Sequence, residues 1–259
     1  MKRILSATAG HRAGDIAESG GRGQWQNSLA LECTGWLIEP MTTILIATRN
    51  AHKVGEIRAI LGEDFRYLTL NDYPEAPAIA ETADSFVGNA TLKVLGLSRW
   101  IRAAGVKFDG AKLLILGDDS GLEVDALGGQ PGVHSARFAA LDTGAPGNSP
   151  DAANSAKLLR LLQDVPPEKR TARFRCVLTL LQIDLATMVK ELKSFSGACE
   201  GNILAAPVGT GGFGYDPLFA PNGFTQSFAE LGEATKNQMS HRALALAALK
   251  TYLANKPKP

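Results

Sequence analysis

The chain has 259 residues, a hydrophobic fraction of 45%, a charged fraction of 20% and a formal net charge of +1. That length and composition describe a globular chain able to bury one large core or two modest ones, and the near-neutral charge argues against sequence-independent nucleic-acid binding, which needs a basic face. No apolar run approaches the ~18 residues of a membrane span, and the three cysteines, Cys33, Cys176 and Cys199, fit neither a disulfide framework nor a zinc site, so reduced thiols in a cytoplasmic protein are expected.

Met1 to Pro40 contains Gly14, Gly20, Gly21 and Gly23, scattered charge and little periodicity. No apolar stretch of signal-peptide length follows Lys2-Arg3. Residues 1–40 are read as a poorly ordered N-terminal extension and residues 41–256 as the domain. Thr43 to Thr48 reads as a strand. The polar turn Arg49-Asn50-Ala51-His52 leads into a helix with Val54, Ile57 and Leu61 on one face. Such a strand-turn-helix junction aims free backbone N–H groups outward; with the helix dipole and Lys53 it suits a phosphate, although a plain surface turn would look the same.

Phe65 to Leu70 reads as a short strand and Asn71 to Ala83, with Pro74 and Pro77, as a loop. Ser85 can cap a helix through about Ala104, whose apolar stripe is Phe86, Ala90, Val94, Leu97 and Ile101, with Asn89 and Lys93 together on another face. The apolar run Leu113 to Leu116 predicts a buried strand ending in an acidic turn, Asp118-Asp119-Ser120-Gly121, with Gly121 permitting a sharp bend. Ligands in open α/β sheets bind beyond the carboxyl ends of strands, and neighbouring carboxylates there suit a hard cation and a water to be activated.

Leu127 to Arg137 predicts a long loop. Pro150 and Asp151 start a helix that ends before Pro166. Thr171 to Ile183 and Val189 to Phe195 read as long strands joined by a short turn, and Gly201 to Ala206 as a continuation of the sheet. Gly209 to Asp216 is a Gly-rich loop carrying Phe213 and Tyr215, either of which could stack on a base. Ser240 can cap a last helix, placing His241 and Arg242 in its first turn, where cations are mildly unfavourable unless an anion or acceptor offsets them. The order of elements predicts an α/β protein with a mixed sheet.

Taken together and in order, these segments resemble the inosine triphosphate pyrophosphatase family. The resemblance is carried by Thr48-x-Asn50-x-x-Lys53, Glu81-Thr82, Phe86-x-x-Asn89-Ala90-x-x-Lys93, Asp118-Asp119-Ser120-Gly121-Leu122, Val124-Asp125-Ala126-Leu127-Gly128-Gly129-x-Pro131-Gly132-Val133-x-Ser135-Ala136-Arg137, Gly212-Phe213-Gly214-Tyr215-Asp216-Pro217 and Lys236-x-x-x-Ser240-His241-Arg242. It implies a two-lobed α/β fold with the active cleft between lobes, usually a homodimer. The implied reaction is Mg²⁺-dependent hydrolysis of ITP, dITP and XTP to the nucleoside monophosphate and pyrophosphate. Carried over by residue, Thr48, Arg49, Asn50, Ala51, His52 and Lys53 would hold the phosphates with Lys93. Glu81 and Asp119 would position the metal, and Asp119 would accept the proton of the attacking water, with Asp118 in support. Ser120 would contact substrate. Phe213, Gly214, Tyr215 and Asp216 would flank base and sugar, and Lys236, His241 and Arg242 would complete the purine pocket. Where the family usually has Gly two residues after the glutamate, this chain has Ala83, which would be strained at positive φ. Two other readings stay open: a phosphatase releasing orthophosphate, separated by its products, and a nucleotide-binding module without turnover, which would be expected to lack a metal carboxylate or a water activator.

Overall fold

A computed structural model of the protein describes residues 41–255; the reading of residues 1–40 as an extension, Cys33 included, lies outside them. The chain runs β1 (Thr43–Ile46), α1 (Ala51–Leu61), β2 (Arg66–Thr69), α2 (Phe86–Ala103), β3 (Lys112–Val124), α3 (Asp151–Leu161), β4 (Thr171–Asp184), β5 (Lys190–Ile203), β6 (Phe219–Pro221), α4 (Phe228–Met239) and α5 (His241–Ala254). The strands form one sheet in the order β2-β1-β3-β4-β5-β6. β1 is parallel to β2 and β3, and the remaining pairs are antiparallel. The expected α/β mixed sheet is therefore what forms, and no helix among the described residues is long and apolar enough to cross a membrane.

Local chemistry sets most boundaries. Asn50 accepts the Lys53 N–H and starts α1, Ser85 accepts the Gly88 N–H and starts α2, and Ser240 accepts the Ala243 N–H and starts α5. Each satisfies an N–H that has no partner inside its helix. α4 opens on a reciprocal box between Ser227 and Glu230. It has no counterpart in the expected elements, because Gly232 (φ 76°) breaks its helical period.

β3 does not end where an acidic turn was expected. It runs straight through Asp118-Asp119-Ser120-Gly121 to Val124, pairing with β4 throughout. Gly121 serves close approach rather than a bend: a Cβ there would lie 2.4 Å from both Gly132 O and Ser135 Oγ. The Leu127 to Arg137 stretch is also more ordered than a loop, with short 3₁₀ turns at Asp125–Leu127 and Gly132–Arg137. Gly201 to Ile203 continue the sheet as expected, as the end of β5.

Alternation along β3 decides the site. Leu114 and Leu116 pack with Ile44, Ile46, Ile57 and Leu246, on the side of α1 and α5. Leu113 and Ile115 pack with Val94, Leu97 and Ile101 of α2. β1 pairs only with Leu113 to Leu116, so the next residues of β3 have a strand partner on the β4 side alone. At that free edge Asp118 points to one face of the sheet and Asp119 to the other.

Candidate active site

Lys53, from the first turn of α1, reaches Asp118 Oδ1 at 2.5 Å. Arg242, from the first turn of α5, donates through Nε to Asp118 Oδ2 at 2.7 Å and through Nη2 to Ser120 Oγ at 2.7 Å. Ser120 Oγ donates to Asp118 Oδ1 at 2.8 Å, and the Cys176 thiol lies 3.5 Å from Oδ2. Burial alone would push the Asp118 carboxyl up, but Arg242 and Lys53 outweigh it and hold the group well below the usual carboxylate range. Asp118 is thus a permanent anion whose lone pairs are taken.

The network continues away from the strand. Arg242 Nη1 also pairs with Glu56, Glu56 Oε1 holds Lys236 Nζ at 3.0 Å, and Lys236 donates to Asp216 Oδ2 at 2.6 Å. Cations and anions alternate from Lys53 to Asp216, which is how buried ions tolerate one another. Glu56 was not singled out in the sequence. Its only signal there was a carboxylate three residues after Lys53 on the same helix, a spacing shared by many solvated helix faces.

On the opposite face of β3, Lys93 Nζ lies 2.9 Å from Asp119 Oδ1 and 3.1 Å from Glu81 Oε2, and donates to Asp118 O at 2.9 Å. Asn89 Nδ2 donates to Asp119 Oδ2 at 3.3 Å, while its Oδ1 accepts the Ala83 N–H at 3.0 Å. Burial pushes the Asp119 carboxyl up to about 6 against the pull of Lys93 and Lys53. Burial opposes the charge of Lys93, but Asp119 and Glu81 overcome it and keep it an ammonium. Ala83 is free of the feared strain: Met188 is the only described non-glycine residue at positive φ.

Beside Asp118 a cavity of about 310 Å³ is lined by Asn50, His52, Lys53, Ser120, Phe213, Gly214, Tyr215, Asp216, Lys236, His241 and Arg242. It gathers most of the residues expected of a nucleotide site. Thr48, Arg49 and Ala51 stand apart from it: Thr48 Oγ1 accepts the Asn50 N–H at 3.1 Å, Arg49 Nη2 donates to Ala76 O at 2.8 Å, and Ala51 faces a smaller neighbouring cavity. Glu81, Lys93 and Asp119 do not line the cavity either; they are grouped on the other face of β3. The lining also includes Asn148, Ser149, Asp151, Asn154 and Phe174, none of which the sequence singled out. The one hint was Asn154, a polar residue on the buried face of α3 that accepts the Ala139 N–H at 2.8 Å.

Of the two loop aromatics, Tyr215 is buried and donates its hydroxyl to Ser135 O at 2.9 Å. Phe213 is the half-buried ring. His52 stacks on it at 5.3 Å and 19°, and Lys236 Nζ sits 4.5 Å from its centroid. Gly212 (φ 73°) is required here, since a Cβ would lie 2.1 Å from Asp216 Oδ2, which accepts the Phe213 N–H at 2.9 Å. His241 stacks on Phe174 at 4.8 Å and 14°, and its Nδ1 is buried without a partner. Burial, then Arg242 and Lys236, hold its pKa well below the usual histidine value, so the ring is neutral. The first turn of α5 therefore carries one cation, not two, and Asp118 and Glu56 offset it.

Among the described residues no cluster of three or more His, Cys, Asp or Glu side chains is gathered for a metal. The pair Glu81 and Asp119 is still a fitting donor set for Mg²⁺, which keeps several waters and is held by one or two carboxylates together with substrate phosphates. Both carboxylates already share a cation, the Lys93 ammonium.

The Ham1 family pattern matches residues 44–252. A dITP/XTP pyrophosphatase of Shouchella clausii is 43% identical over 210 residues, covering 81% of this chain and 96% of that protein. One from Geobacillus kaustophilus is 45% identical over 210 residues, covering 81% and 93%. Among solved structures, a HAM1 protein from Coxiella burnetii aligns with a TM-score of 0.68 at 32% identity, over 83% of this chain and all of that one. A nucleoside-triphosphatase/dITP/XTP pyrophosphatase from Mycobacterium abscessus aligns with a TM-score of 0.58 at 38% identity, over 80% and 98%. With the match spanning its cavity and both sets of carboxylates, the chain belongs to the Ham1 family.

Proposed function

We propose that this protein is a Mg²⁺-dependent pyrophosphohydrolase that cleaves dITP, XTP and ITP at the α–β anhydride, giving the nucleoside monophosphate and pyrophosphate. One observation carries the reading: adjacent buried aspartates at a free strand edge, one locked by Lys53 and Arg242, the other raised to about 6 beside Lys93. That division suits one fixed anion and one titratable base. The names of the relatives supply the substrate class.

In this reading the purine enters the cavity against Phe213, and the triphosphate follows Asn50 to Lys53 over the edge of β3 toward Lys93. The N-terminus of α1 and the two lysines balance the phosphate charge, including that developing on the leaving pyrophosphate. Glu81 and Asp119 would hold Mg²⁺, which supplies further neutralisation of the triphosphate. Asp119 takes the proton of the attacking water. A 6-oxo purine is favoured by donors that an adenine 6-amino group cannot satisfy. Arg242 has most of its N–H groups committed to Asp118, Ser120 and Glu56, so neutral His241 and loop N–H groups share that task. Residues 41–256 form the catalytic domain in this proposal, with the cleft between two lobes. A homodimer in the cytoplasm is carried from the family resemblance.

The test is purified protein with Mg²⁺ and, separately, ITP, XTP, ATP and GTP, with products resolved by phosphorus NMR. Monophosphate plus pyrophosphate from ITP and XTP, with little from ATP or GTP, is expected. Orthophosphate plus diphosphate would overturn the assigned bond, and no turnover would overturn the enzyme.

A further inference from the structure

Three side-chain hydrogen bonds tether the segment carrying Phe213. Asp216 Oδ2 accepts the Phe213 N–H at 2.9 Å, and Tyr215 donates its hydroxyl to Ser135 O at 2.9 Å. The third tether comes from elsewhere in the cavity lining: Gly214 N–H donates to Asp151 Oδ2 at 2.7 Å. Asp216 and Tyr215 belong to the segment and are buried, whereas Asp151 is an exposed side chain 63 residues away in sequence.

The backbone around Phe213 has little stiffness of its own. Gly212 (φ 73°) and Gly214 (φ 64°) flank the ring, both in the left-handed region, and glycine pays most conformational entropy when fixed there. Among the described residues, the side chain that holds the Gly214 backbone by a hydrogen bond is Asp151. Asp151 is also the first residue of α3, where the helix dipole favours a negative charge, so the acceptor is set in place before any ligand arrives.

We propose that Asp151 is a positioning residue for substrate binding: by accepting the Gly214 N–H it holds the Phe213 segment in its cavity-lining conformation, so the base meets a wall already formed. Ordering that segment in advance removes a cost that binding would otherwise carry. The inference rests on the proposed nucleotide reading for the identity of the ligand; the tether itself does not.

The experiment compares full-length wild type with Asp151→Ala and Asp151→Asn, because asparagine keeps an oxygen acceptor without the charge. Wild-type turnover of ITP to monophosphate and pyrophosphate is measured first. Asp151→Ala is expected to raise KM for ITP about fivefold to tenfold, the worth of one such hydrogen bond, with kcat within about twofold of wild type. Asp151→Asn is expected to return KM to within about twofold. In nucleotide-free protein, amide exchange of the peptide containing Gly214 is expected to quicken by a similar factor in the alanine variant and to stay near wild type in the asparagine variant. An unchanged KM or unchanged exchange in Asp151→Ala would overturn the proposal. So would an asparagine variant as impaired as the alanine one, which would point to charge rather than to the tether. If wild type fails to turn over ITP, the functional reading falls, and the exchange data still decide whether Asp151 holds the segment.

Discussion

Asp118 and Asp119 are consecutive residues of one strand, yet they answer to different cations on opposite faces of the sheet: Arg242 and Lys53 for the first, Lys93 for the second. Both are buried. Arg242 and Lys53, both bonded to Asp118, drive its carboxyl down, whereas at Asp119 burial outweighs the pull of Lys93 and the more distant Lys53. Environments that push two carboxylates apart in this way separate an anchor from a base.

The separation predicts two different failures. Asp119→Asn is expected to fold and bind ITP while kcat falls about 10²- to 10⁴-fold, the usual worth of a general base. Asp118→Asn leaves Arg242 and Lys53 without their shared anion and is expected to lose about 3–5 kcal/mol of stability, as when one partner of a buried pair is removed. Urea unfolding and turnover on both variants check this. Near-wild-type turnover in Asp119→Asn would remove that residue from the chemistry.

His241 gives a pH prediction. Its folded pKa lies below the unfolded value because of burial, then Arg242 and Lys236. The unfolded chain therefore binds the extra proton first, so stability is full above about pH 6.5 and falls as pH drops below it. Asp119, raised to about 6, acts with the opposite sign between about pH 4 and 6. The comparison is therefore between wild type and His241→Asn, which share Asp119. Wild type should lose more stability than His241→Asn from pH 7 to pH 5, read by urea unfolding; parallel pH curves would show that His241 is not held neutral.

Gly121 shows how far the sequence could be read. Asp, Ser and Gly in succession favour a turn by local chemistry, and from the residues alone the strand should have ended at Leu116. Non-local contacts decide otherwise: β4 pairs with β3 through Val124, and Gly132 O and Ser135 Oγ press against Gly121. The same limit hid α4, whose period breaks at Gly232, and Glu56, whose partners lie 180 and 186 residues away. What was legible was local: the caps Ser85 and Ser240, the α2 stripe, and the two long strands that became β4 and β5. Gly121→Ala is expected to destabilise the fold by about 1–3 kcal/mol, as overpacking does, measurable as a lowered thermal midpoint. A midpoint equal to wild type would mean that the Gly132–Ser135 segment moves aside freely.

The last prediction concerns residues 1–40. Every described residue lining the cavity falls between Asn50 and Arg242, as do Glu81, Lys93 and Asp119. The Ham1 pattern begins at residue 44, and β1 supplies the first strand of the sheet from Thr43. The binding and chemistry proposed here name no residue upstream of Met41. A chain beginning at Met41 is expected to keep kcat/KM for ITP within about twofold of the full-length protein, a difference of about 0.4 kcal/mol in transition-state stabilisation. A tenfold fall would correspond to about 1.4 kcal/mol and would assign residues 1–40 a part in catalysis. If kcat alone were kept while KM rose, that part would be in substrate binding.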